Sequence, residues 1–152
     1  MLQELANIGS FIGGAGVLLT VVYLAAQVKI SVRTTRGATY QAVVGAISDW
    51  SRDIGLSADV TRIMFTGLEK PATLTPGESL QFHLLLTSVV RNFENIHYQY
   101  ATEGISNDTW AGWSARIKWM MKSPGATIWW QQNKQFFSPT FGAFLSKAMD
   151  WE

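Results

Sequence analysis

Apolar and polar positions divide this chain into two regimes. From Ile8 to Ala26, IGSFIGGAGVLLTVVYLAA, no helical or strand alternation appears, and residues 5–28 contain no Asp, Glu, Lys or Arg. As a helix rising about 1.5 Å per residue, the run reaches roughly 28 Å, close to the ~30 Å hydrocarbon core of a bilayer. Its strongly apolar members (Ile8, Phe11, Ile12, Val17, Leu18, Leu19, Val21, Val22, Leu24) contribute roughly −3 to −5 kcal/mol toward insertion, a gain eroded by its glycines, Ser10 and Thr20. The pattern predicts one transmembrane helix over 1–28. A buried core helix of a soluble domain is the alternative, although such helices are usually shorter and carry a polar face. A signal peptide fits worse, because Glu4 precedes the run, no Lys or Arg does, and no small-x-small cleavage site follows.

Beyond Gln27 the periodicity turns helical. Thr39, Val43, Ala46, Ile47 and Trp50 recur at spacings of three and four without proline, so the helix is expected to continue over 29–55 as a cytoplasmic extension. Residues 56–152 then read as a helical cytoplasmic domain. Ser57 can cap a short helix to Leu68 that Pro71 ends, and Thr75-Pro76-Gly77-Glu78 supplies a capping box with proline at the first helical position. A long helix to about Glu103 comes next, with Gly104 where a C-terminal cap glycine belongs. Leu80, Leu84, Leu85, Val89, Phe93 and Ile96 are apolar over more than one of its faces, which predicts burial between other helices. Ser106 or Asn107 can open a fourth helix, Ser123-Pro124 a fifth and Ser138-Pro139 a sixth that reaches the C-terminus. Val, Ile and Thr alternate nowhere over a useful length, so the expected class is all-α: a single N-terminal transmembrane helix carrying a bundle of about five helices.

Charge sets the orientation. Lys29, Arg33 and Arg36 come after the apolar run with no acidic residue before Asp49, which keeps the C-terminal side cytoplasmic. Tyr23, Lys29, Arg33 and Arg36 form the expected membrane-interface set, the arginines lying near anionic headgroups. Gly9 and Gly13 make a small-xxx-small step that Gly14 and Gly16 extend, a surface on which another helix backbone can pack closely. Glycine is also common in membrane helices for no partner-related reason.

Side chains able to do chemistry are few. Arg91 and Glu94 stand three apart on the long helix and can pair, with His97 and Tyr98 beyond them and Tyr40 and Gln41 contributed by the first helix. The set is either a satisfied polar network or a ligand pocket. Glu94-x-x-His97 has the spacing of di-iron bundle ligands, but such centres need two such motifs and two more glutamates, and the chain holds two histidines in all. No metal site, cofactor or catalytic residue is predicted. With no cysteine there is no disulfide and no thiolate chemistry, and a net charge of +1 gives no basic field for nucleic acid. Trp129, Trp130, Phe136 and Phe137 can either fill a small core or rest on the headgroup zone beside the basic residues, and helical spacing favours core.

The chain resembles a widespread group of uncharacterised bacterial small proteins with one N-terminal membrane helix. The likeness covers nearly the whole length. It rests on Tyr23-Leu24-Ala25-Ala26-Gln27-Val28 with Arg36, Ala38, Thr39, Tyr40 and Gln41, on Arg91-Asn92-Phe93-Glu94 with Tyr98-Gln99-Tyr100, and on Ser123-Pro124-Gly125 with Trp129-Trp130 and Phe137-Ser138-Pro139. Gly37 stands where the group has Ala. The resemblance implies the same membrane anchor and helical domain and carries over no catalytic residue.

Taken together these features predict a non-enzymatic, single-span membrane protein in contact with lipid. It either associates with itself as a homo-oligomer or serves as an accessory subunit of a larger membrane complex. The rival class is a membrane-anchored ligand-binding or sensory domain, or an enzyme, with its site among Tyr40, Gln41, Arg91, Glu94, His97 and Tyr98.

Overall fold

The computed structural model describes the backbone of residues 1–149 and their side chains other than those of Leu2 and residues 4–12. Every regular element among the described residues is helical: α1 (Leu2–Gly55), α2 (Ala58–Glu69), α3 (Pro76–Ala101), α4 (Asn107–Met121), α5 (Pro124–Asn133) and α6 (Pro139–Met149), with 3-10 turns at Pro71–Thr73 and Lys134–Phe136. The fold is all-α. Two compact units divide the chain, Met1–Ala38 and Thr39–Glu152, so the boundary falls inside the stretch expected to be a mere extension of the first helix.

The first unit is helical and, from Gly13 to Ala38, its side chains are exposed. Leu18 and Leu19 expose 68% and 72% of their surface. This helix is long and apolar enough to cross a membrane, and none of its apolar window is buried. Two of its hydroxyls bond to the helix backbone: Thr20 Oγ1 donates to the Gly16 carbonyl at 2.9 Å and Thr34 Oγ1 to that of Ile30 at 3.1 Å, and for Thr20 this lowers the cost of carrying a polar group in an apolar run.

The second unit is built around α3. Its capping box is present, with Glu78 N–H donating to Thr75 Oγ1 at 3.3 Å and Thr75 N–H to Glu78 Oε2 at 2.9 Å. Arg62 of α2 donates to Glu78 Oε1 at 2.6 Å. The Thr75 backbone bond, with the Arg62 bond second to it, holds the Glu78 carboxyl down at about 2. Phe82, Leu86, Val89, Val90, Phe93 and Ile96 form one buried stripe at helical spacing. Leu80 and Leu84, expected to be buried with them, are 60% and 59% exposed. At about 100° per residue they fall on the opposite side of α3 from that stripe.

Against the stripe pack Ile63 and Met64 from α2, Ile117, Met120 and Met121 from α4, Trp129 and Trp130 from α5, and Phe137, Phe141 and Leu145. Val43 is buried in the same core, and Ile47, Trp50 and Ile54 lie partly buried against it. The last turns of α1 therefore belong to the core, because the 3.6-residue period places all four side chains on one face.

The start signals mark real helix ends. Ser57 accepts from Val60 N–H at 3.4 Å and Ser106 from Thr109 N–H at 3.2 Å, so Ser106 rather than Asn107 caps α4. Ser123 precedes α5 but makes no side-chain cap; its hydroxyl donates to the Met120 carbonyl instead, at 3.0 Å. At the end of α3 the left-handed residue is Glu103, with φ 59°, and not Gly104. Glu103 N–H donates to the Tyr100 carbonyl at 3.1 Å and Gly104 N–H to that of Gln99 at 2.6 Å, the paired bonds of a Schellman motif set one residue earlier than expected. Gly104 serves close approach, since a Cβ there would come within 2.8 Å of Gln99 Oε1 and 3.1 Å of its carbonyl oxygen.

Candidate functional site

Arg91 and Glu94 sit one turn apart on α3, on the side facing the Lys134–Phe136 turn and the start of α6. Arg91 Nη1 reaches Glu94 Oε2 at 2.6 Å, and Arg91 Nη2 donates to the Phe136 carbonyl at 2.6 Å. Glu94 Oε1 accepts the Ser138 backbone N–H at 2.6 Å. The guanidinium also lies 4.2 Å from the centre of the Phe137 ring, within cation–π range. One ion pair thus grips residues 136–138 by their backbone and supplies an acceptor at the N-terminus of α6, where a negative charge is favourable. Burial pushes the Glu94 carboxyl up, but the Ser138 N–H and the Arg91 guanidinium outweigh it, and the net displacement is below the ordinary carboxylate value.

His97, one turn further, is surrounded by rings rather than by ligands. Its ring centre lies 5.4 Å from that of Trp110, 5.7 Å from Phe141 and 5.3 Å from Phe144, on which it stacks. Loss of hydration lowers its pKa and the nearby Glu94 charge opposes that only in part. A histidine kept neutral among aromatic rings is a core residue with a polar edge. Tyr98 is 60% exposed and Tyr40 46%, and Gln41 is exposed as well. None of the cavities described in the second unit is lined by Arg91, Glu94 or His97. Among the described residues no group of three or more His, Asp or Glu gathers as a metal site would require.

In the first unit, Gly13, Gly14 and Gly16 have open space where a Cβ would stand. Gly9 lies outside the described residues. Tyr23, Lys29, Arg33 and Arg36 are exposed on the same helix. Phe136, 64% exposed, and Trp119, 62% exposed, lie outside the core together with Phe65 and Tyr98, whereas Trp129, Trp130 and Phe137 are buried in it.

Two glycines of the second unit mark a close approach between helices. A Cβ on Gly125, the second residue of α5, would fall on the Gly67 carbonyl oxygen, and one on Gly67 would fall into the Phe82 ring. Gly67 stands four residues after Ile63 and three after Met64, on the buried face of α2. A glycine on an apolar helical face is the available signal for such an approach.

No family model, no curated protein and no solved structure matches the chain. The fold and the site define a class: an all-α protein in which a bare apolar helix leads into a compact helical unit.

Proposed function

We propose that this is a non-enzymatic, single-span membrane protein of the bacterial inner membrane, its helical unit on the cytoplasmic side, acting by association. The observation that carries the reading is the continuous exposure of apolar side chains from Val17 to Val32 in a helix long enough to cross a bilayer. Exposed apolar surface of that extent marks an interaction with lipid or protein. Lys29, Arg33 and Arg36 favour placement of the helical unit in the cytoplasm. Within the bilayer, Gly13, Gly14 and Gly16 form the face on which a second copy, or a helix of a larger membrane complex, packs. The resemblance to the bacterial group with one N-terminal membrane helix agrees with this reading. Arg91 and Glu94 bond to each other and to the backbone of Phe136 and Ser138, and His97 lies among aromatic rings, so these residues support the fold.

Fractionation of expressing cells, alkaline extraction of the membranes and chemical cross-linking test the proposal. The expected result is retention in the membrane pellet and cross-linked species that disappear in a Gly13→Leu, Gly16→Leu double variant whose second unit melts as in the wild type. Recovery in the aqueous fraction refutes the membrane span. A strictly monomeric detergent complex with nothing co-purifying refutes the association.

A further inference from the structure

A cleft of about 330 Å³ opens within the second unit between the Pro71–Thr73 turn, the first half of α3 and α5. Its walls are largely apolar, made by Leu74, Leu80, Phe82, Ile128 and Trp129, and no Asp, Glu, Lys or Arg lines it. Leu80 and Ile128 are 60% and 51% exposed. His83 is the polar group of the lining whose chemistry the fold fixes. The Trp129 Nε1–H donates to His83 Nδ1 at 3.1 Å, and an indole N–H can only donate, so Nδ1 presents its lone pair and the ring proton sits on Nε2. Nε2 makes no hydrogen bond among the described residues and is not sealed from solvent. An uncharged apolar cleft thus carries one N–H donor, its tautomer set by a buried tryptophan.

We propose that this cleft binds an uncharged ring compound bearing a carbonyl group, the carbonyl oxygen accepting from His83 Nε2–H and the ring lying against Leu80, Ile128 and Trp129. The absence of charged side chains selects against ions, which would give up hydration with no opposite charge to receive them. The His83 donor selects against a purely apolar molecule, which would cover the N–H and leave it without an acceptor. The volume stands at the lower end of the range for small-ligand sites and suits a compact ring rather than an extended chain. Such a ring removes from water part of the apolar surface that Leu80 and Ile128 expose. The cleft shares no residue with the Arg91–Glu94 clamp.

Titration of the full chain in detergent micelles with acetophenone, ethylbenzene and benzoate, compared at equal free concentration and followed by the NMR signal of the Trp129 indole N–H, tests this. Acetophenone is expected to move the signal saturably and to bind about fivefold more tightly than ethylbenzene, while benzoate leaves it in place. Ile128→Trp fills the cleft from an exposed position, and should weaken acetophenone binding about tenfold with the unfolding midpoint unchanged. His83→Phe removes the donor, and should bring acetophenone down to the affinity of ethylbenzene. Ile128→Trp decides the matter where His83→Phe fails to fold. A shift that grows without saturating, wild-type affinity in Ile128→Trp, or ethylbenzene or benzoate binding as tightly as acetophenone overturns the site.

Discussion

Glycines that look alike in the sequence do opposite things in parts of the two units. In the helix of the first unit, Gly13, Gly14 and Gly16 face empty space, and the apolar side chains around them are exposed. In the second unit, Gly67 and Gly125 have no space at all: each stands where a neighbour's atoms would otherwise collide with a Cβ. The same residue type is an unused surface in one place and a closed contact in the other. The first unit therefore has nothing within its own described residues to bury its apolar surface, while the second buries a core of its own. An isolated helix in water is marginal, and under the proposed function lipid or a partner helix supplies the missing burial.

This contrast can be broken at several points, and all tryptophans lie in the second unit, so their fluorescence reports on it alone. Gly125→Ala has the largest expected effect, a loss of about 3 kcal/mol or more, because the added methyl meets backbone that cannot rotate away. A Gly13→Ala control should leave the same denaturant midpoint unchanged. Equal shifts in the two would erase the distinction between the units.

Glu94→Gln comes next, at about 2 kcal/mol, since it removes the charge that Arg91 and the Ser138 N–H share. Urea unfolding should show the loss with cross-linking unchanged. Loss of cross-linking at unchanged stability would move Glu94 from the fold to an interface.

Acid should weaken the second unit through two groups. Glu94 is depressed in the folded state, so its contribution is present above the ordinary carboxylate value and is lost as pH falls through the lower folded one. His97 is also depressed, so the unfolded chain takes up its proton first and stability declines as pH drops below 6.5. The melting temperature of His97→Gln should vary less than the wild type's between pH 7 and 5. An unchanged slope assigns the acid sensitivity elsewhere.

The smallest effect expected is a gain. Glu103→Gly should stabilise the second unit by about 1 kcal/mol, because φ 59° is costly for a residue with a Cβ. A thermal melt that moves down instead would mean that Glu103 contributes more through its own contacts than its backbone costs.

Much of the fold was legible in the chain because helix ends are written in local chemistry. Ser57, Thr75-Pro76 and Ser106 satisfy N–H groups a few residues away, and the structure puts caps at each. The pairing of Arg91 with Glu94 was equally local, a matter of one helical turn. The clamp that this pair forms was not, because its other partners, Phe136 and Ser138, lie more than forty residues along the chain. Leu80 and Leu84 failed for a related reason: hydrophobicity says that a side chain gains by burial, but only packing says which face receives a neighbour.

The amino-acid sequence by itself determined the helical class, the helix starts and the single uncharged apolar run, all of which depend on interactions within a few residues or on composition alone. Tertiary structure decided that residues from Thr39 onward belong to the compact unit, that His97 lies among rings, that Gly67 and Gly125 bring α2 and α5 together, and that Trp130 is buried in the core. Those facts depend on which distant segments meet, and contact between distant segments is set by the packing of the whole core, which no short window of residues contains.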